Sequence, residues 1–162
     1  MYKRQLHFGS EVSELASFSS EVNAIDYVGS SNVNSILAKT VTLDDYFKLN
    51  PNLIPKRCDL LKVDTEGFEF EVLMGAREFI RFHRPRFIQI EFNLHHLFRG
   101  HTLKVITQNL EGYLLFRLLP NRHGMTLCEI NDFTSSIFQY SNYVLIEENV
   151  WSDSEFCAKF RF

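Results

Sequence analysis

The stretch from Asp59 to Asn93, DLLKVDTEGFEFEVLMGAREFIRFHRPRFIQIEFN, constrains the fold of this chain more than any other segment. Two short apolar runs, Leu60–Val63 (interrupted by Lys62) and Phe87–Phe92, bracket a segment in which Phe68, Val72, Leu73, Ala76, Phe79 and Ile80 share one helical face. Short apolar runs bounded by turn signals read as buried strands, and strand–helix–strand is the repeating unit of a parallel sheet. Both runs end on acidic or amide residues: Asp64 and Glu66 after the first, Glu91 and Asn93 at the end of the second. In open α/β sheets ligands bind outside the carboxyl ends of the strands, so these residues are the first candidates for a site. Gly75 is expected to weaken or kink the helix, and His83–Pro85 to end it.

The remaining sequence extends the pattern. Leu6–Phe8 reads as a short strand, residues 9–35 as a mostly irregular, Ser-, Asn- and Gly-rich segment, and Ser35–Val41 as a strand. Thr42 is placed to cap a short helix, LDDYFKL, with Asp44 and Asp45 in its first turn, where acids suit the helix dipole. Leu103, Ile106 and Leu110 mark another helix, with Gly112 as its C′ residue. Tyr113–Leu119 is a strand stopped by Pro120, residues 121–142 a long loop or a short helix, Tyr143–Glu147 the last strand, and 148–162 an aromatic tail. The division expected is an irregular segment over 1–34, the folded domain over 35–150 and a tail over 151–162.

At 162 residues one domain is the natural size, and 45% hydrophobic and 14% aromatic residues permit a real core. A net charge of −3 and the lack of a basic run give no reason to expect nucleic-acid binding. No run of about 18 apolar residues predicts a membrane span. Three cysteines without CxxC spacing (Cys58, Cys128, Cys157) fit a reducing cytoplasm better than a disulfide framework or a zinc site.

The strings VTLDDYF (41–47), DLLKVDTEGFEFEVLMGA (59–76), IQIEFN (88–93), GYLLFRLLP (112–120) and FQYSNYVLI (138–146), taken together and in this order, resemble the second half of FkbM-family S-adenosylmethionine-dependent methyltransferases. The resemblance implies a Rossmann-like, class I methyltransferase sheet of α/β class. Its later parallel strands and a C-terminal antiparallel pair would be retained here, and its first two or three strands would be missing. It implies methyl transfer to a hydroxyl oxygen of a sugar or secondary metabolite, with S-adenosylmethionine as donor and a small molecule as acceptor. The Gly-rich turn that holds the donor in such enzymes has no counterpart: the seven glycines form no Gly-x-Gly, and about 34 residues precede the Ser35 segment. The expectation is therefore a half-domain that binds the donor poorly alone. The alternative is a non-catalytic module that complements a partner chain or self-associates through an exposed strand edge.

Within that frame Asp64 and Glu91 are candidate catalytic groups, as bases or, for Asp64, as a metal ligand, because a hydroxyl must lose its proton or meet a Lewis acid to attack a methyl group. Asp64, Glu66 and Gly67 are placed on the cofactor side, with Gly67 permitting a close approach. The alternative for Asp64 and Thr65 is that one of them caps the following helix, with Glu66 and Glu69 in its first turn. Asn93, His96, Tyr140 and Asn142 are placed on the substrate side, with core packing or loop hydrogen bonding as the alternative for Tyr140 and Asn142. His95 is an acid–base candidate because imidazole titrates near neutrality, although a surface histidine on a loop or at a helix start is the favoured reading. Asp64, Glu91 and Asn93 are three oxygen donors that suit Mg²⁺, although positioning of a substrate hydroxyl is the favoured role. Lys62 is expected in a structural ion pair with Asp64 or Glu91, or at a strand edge. Arg99 and Arg117 read as solvated surface, with contact to an anionic substrate as the alternative.

Overall fold

The computed structural model describes residues 2–8, 16–18, 20, 24–25, 34–119, 124–131 and 133–153. Expectations for the rest of 9–33, for Pro120 and for 154–162 lie outside the described residues. The main sheet has five strands in the order β3-β4-β7-β5-β6, with β3 at Leu60–Val63, β4 at Phe87–Phe92, β5 at Tyr113–Leu119, β6 at Gly124–Leu127 and β7 at Ser141–Glu147. β3 and β4 are parallel, and β7 is antiparallel to both β4 and β5. β5 therefore runs the same way as β3 and β4. The antiparallel pairing expected at the C-terminal end is present, and β7 lies between β4 and β5 rather than at an edge.

β1 (Tyr2–Phe8) and β2 (Asn34–Thr40) form a separate two-stranded antiparallel sheet. The first strand is thus longer than Leu6–Phe8, and the strand expected over 35–41 does not join the main sheet. Among its described residues, the loop or helix expected over 121–142 contains β6 and a 3-10 turn at Thr134–Ser136.

Two layers pack on the sheet. On one face Val63, Ile88, Ile90, Phe92, Leu115, Tyr143 and Leu145 meet Leu73, Ala76, Phe79, Ile80, Leu103 and Ile106, all in one core. The last six come from or adjoin α2 (Glu69–Met74), α3 (Arg77–His83) and α5 (Leu103–Thr107). Ile88, Ile90 and Phe92 are completely buried. Each such side chain contributes roughly 1.5–3 kcal/mol on leaving water. On the other face Phe116, Val144 and Ile146 are covered by Val150 and Trp151 of α6 (Glu148–Ser152). α6 lies at the start of the tail. Glu147 caps it by accepting from the N–H groups of Asn149 and Val150 and also accepts from Arg84.

The single helix expected after β3 is two. Its break falls at Gly75–Ala76, and α3 has no side-chain cap of its own. The cap comes from far away in sequence: Asp44 of α1 (Leu43–Leu49) accepts from the N–H groups of Glu78 and Phe79 at 2.9 and 2.8 Å. Thr42 caps α1 as expected, accepting from Asp45 N–H at 3.0 Å. A Cβ on Gly75 would meet the Thr42 side chain at 3.1 Å, so the glycine lets α1 dock against the break. Asp44 thus serves the dipole and free N–H groups of another helix as well as its own.

Candidate functional site

The site is built by the turn after β3 and by the tip of β4. The turn is unusual in its backbone: Glu66 has φ 52 and Gly67 φ 97, two successive left-handed residues. For glutamate that conformation is sparsely populated and persists only where surroundings hold it. Gly67 is required for a second reason, since a Cβ there would lie 3.0 Å from the Cβ of His95. Ser17 donates to the Glu66 carbonyl at 2.9 Å, joining the N-terminal segment to this turn.

What fixes the turn is Glu69, fully buried at the start of α2. One carboxylate oxygen accepts from Thr65 N–H at 2.7 Å and from the Thr65 hydroxyl at 3.1 Å; the other accepts from Gly67 N–H at 3.0 Å and lies 2.7 Å from His96 Nε2. Burial alone would raise its pKa. Contact with His96 and the backbone N–H groups outweigh burial and hold the carboxyl below its ordinary range. Asp64 and Thr65 do not cap α2, whose N-cap is Phe68 without a side-chain bond. Glu69 satisfies the free donors by folding back over them.

The second half is α4 (Leu94–Arg99), a helix that the sequence did not announce beyond a possible helix start. Asn93 is its N-cap: its side-chain oxygen accepts from His95 N–H at 2.9 Å, and its amide nitrogen donates to Glu91 at 2.7 Å. That oxygen thus holds the start of the helix. His95 and His96 point apart, as adjacent residues should. Neither lies on the surface as expected: His95 is 2% exposed and its Nδ1 lies 2.8 Å from the Glu66 carboxylate, and His96 is fully buried against Glu69. His95 thus reaches the site through Glu66, and His96 through Glu69.

Asp64, Glu66 and Glu91 converge, each placing one carboxylate oxygen within 4.8 Å of the others. Three hard oxygen donors at this spacing suit a divalent cation, and their charge equally suits an organic cation or donor hydroxyls. Lys62 pairs with Asp64 at 2.7 Å with both side chains partly exposed, so the ion pair and the edge position expected of Lys62 are both found. Glu91 is different. It is 8% exposed, and burial together with the Glu66 charge raises its pKa. The Tyr140 hydroxyl lies in hydrogen-bonding reach of Glu91, and Glu91 in turn raises the pKa of the largely exposed Tyr140. Asn142 stands opposite Glu91 in the β4–β7 ladder and accepts from Gln89 at 3.2 Å.

Two arginines correct the surface reading. Arg99 is mostly buried, pairs with Glu71 and stacks over the Phe68 ring. Arg117 is half-buried and donates to Ser141. Their burial follows from contacts between elements far apart in sequence. The sheet-end location of Arg117, near the end of β5, was the available signal.

The acidic groups thus gather at the carboxyl ends of parallel strands in a mixed α/β sheet, the edge along which open α/β sheets bind ligands. The model of the methyltransferase FkbM domain matches residues 3–124, and the chain belongs to that family. No curated protein and no solved structure matches it. Among the described residues no helix is long and apolar enough to cross a membrane.

Glu69→Gln keeps the shape and removes the charge, and is expected to cost about 1.5–3 kcal/mol. Because the folded-state pKa of Glu69 is depressed, its contribution is complete above its ordinary value of 4.5 and is lost as pH falls through the lowered folded-state range. Urea denaturation across pH checks this: the gap between wild type and variant should close on acidification, and a gap independent of pH would contradict it.

Proposed function

We propose that this chain carries the acceptor side of an S-adenosylmethionine-dependent O-methyltransferase site, with Glu91 as the general base. The observation that carries the reading is the contrast between the two strand tips. Asp64 is in direct ion pair with Lys62, whereas Glu91 is buried, makes no ion pair among the described residues although the Lys62 charge is near it, and has a raised pKa. A carboxyl poised nearer neutrality is a better proton acceptor for a hydroxyl. Asn93 and Tyr140 orient the Glu91 carboxylate, and Asn142 stands beside it to position the acceptor hydroxyl. Asp64, Glu66 and the Gly67 backbone are the groups this chain offers to the donor. The donor, when bound, supplies a methyl group on a positively charged sulfur, and the negative charge of the cluster fits that cation. No Gly-x-Gly turn occurs in the 162 residues, so donor binding by this chain alone is expected to be weak. The acceptor class is a sugar or secondary-metabolite hydroxyl, and the setting is cytoplasmic.

With labelled donor in excess and a panel of sugar acceptors, Glu91→Gln should lower the rate of label transfer by about 10²–10⁴-fold. Transfer at the wild-type rate in this variant would remove Glu91 from the role.

One observation favours a second reading, an association module. The outer edge of β3 has no strand partner among the described residues, and beside it lies a mainly apolar groove of 710 Å³ lined by Leu61, Val63, Phe68 and Phe70. An open edge of this kind is a template for pairing, and a second copy of the same strand is the occupant proposed. Light scattering on the purified chain decides: this reading predicts a dimer, and a monodisperse monomer would dismiss it.

A further inference from the structure

The segment leading into β7 has two sides. Tyr140 and Asn142 face the Glu91 carboxylate, while Gln139, Ser141 and Tyr143 face away from it. On that far side is a cavity of 420 Å³, lined by Arg117, Gln139, Tyr143, Asn131 and Thr134 with Leu103 beneath. Pockets for small molecules run roughly 300–1,000 Å³. The cavity lies at the same end of the sheet as the acidic cluster, because Arg117, Tyr143 and Ile90 occupy one row across β5, β7 and β4, next to the row of Asn142 and Glu91. With strands roughly 4.8 Å apart, Arg117 and Glu91 are two strands distant.

Arg117 is the unusual member. Three arginines among the described residues are half-buried: Arg86, Arg99 and Arg117. Arg86 pairs with Asp59 and Arg99 with Glu71. Arg117 has no carboxylate partner among the described residues. Its Nε donates to the buried Ser141 hydroxyl at 2.8 Å, and one terminal nitrogen reaches Gln139 at 3.5 Å, the limit of a hydrogen bond. Glu129 also borders the cavity, but it is exposed and out of ion-pair range, so water screens its charge. A guanidinium held by its Nε, partly desolvated and lacking a counter-charge, presents its terminal N–H groups to an incoming oxyanion.

We propose that this cavity binds a small hydroxyl-bearing anion, a carboxylate or a phosphate ester, with its charged group on Arg117, and that this molecule is the methyl acceptor. The acceptor role rests on the methyl transfer proposed above; the binding does not. A molecule engaging both sites arches over the start of β7, with its acid on Arg117 and a hydroxyl toward Glu91.

Calorimetry on the full chain without donor, using glucuronate, glucose 6-phosphate and glucose, tests the binding. At least one of the anionic sugars should bind saturably and about tenfold or more tighter than glucose, and whichever binds tighter identifies a carboxylate or a phosphate site. Arg117→Gln should weaken that binding by about 10–100-fold, the usual loss for a charged hydrogen bond. Amide shifts in the wild-type chain provide a measure that does not depend on the variant folding, and they should cluster at Arg117, Thr134, Gln139 and Tyr143. Equal binding of glucose, no binding of either anion, or shifts elsewhere would overturn the proposal and leave the role of Glu91 to its own variant. Binding in the cavity of a sugar that never receives label from an active site would overturn the acceptor role alone.

Discussion

The buried carboxylate of Glu69 is the interaction on which the site depends. A glutamate at the start of a helix ordinarily sits in water near the helix dipole. Here it is fully enclosed and holds Thr65, Gly67 and His96 at once. Those contacts fix a turn with two successive left-handed residues and lock α4 against it. Enclosing an unpaired carboxylate would be costly, and its hydrogen bonds and the histidine offset that cost. The turn places Asp64 and Glu66 next to Glu91, and α4 places Asn93 where it can both cap and orient. The geometry of the acidic cluster therefore follows from one residue that does not belong to it.

A consequence is that the two strand tips acquire different chemistry although both carry carboxylates. Asp64 has a lysine from its own strand and stays near solvent. Glu91 is drawn inward by the sheet, faces the charge of Glu66, and is steadied by neutral donors. Environments that separate two nearby carboxyl groups in this way allow one to act as a base and the other as a fixed charge. Beyond β7 the same sheet end carries a positive counterpart in Arg117.

Much of the sheet was legible in the sequence because its central strands have the apolar runs and turn boundaries that burial demands. β3, β4, β5 and the body of β7 fall where periodicity places them, and Asp64, Glu66 and Glu91 follow as their tips. What periodicity missed depends on partners distant in sequence. β6 is four residues long and exists only through pairing with β5. α4 spans six residues, too few for a pattern, and is held by its cap and by two buried histidines. Asp44 reads as an ordinary first-turn acid until α3 is placed beside it. The burial of Arg99 and Arg117 likewise depends on where Glu71 and Ser141 arrive in space. The match of residues 3–124 to the FkbM domain extends the family assignment from the motifs to most of the chain.

The dependence of the site on Glu69 is most directly measured by hydrogen exchange at single amides in the wild type and in Glu69→Gln. The account predicts that exchange at Thr65 and Gly67 accelerates by about tenfold or more, in far greater proportion than at Ile90 in the core of β4. Unchanged exchange at Thr65 and Gly67, or a uniform increase throughout the sheet, would show that the turn holds itself without that carboxylate.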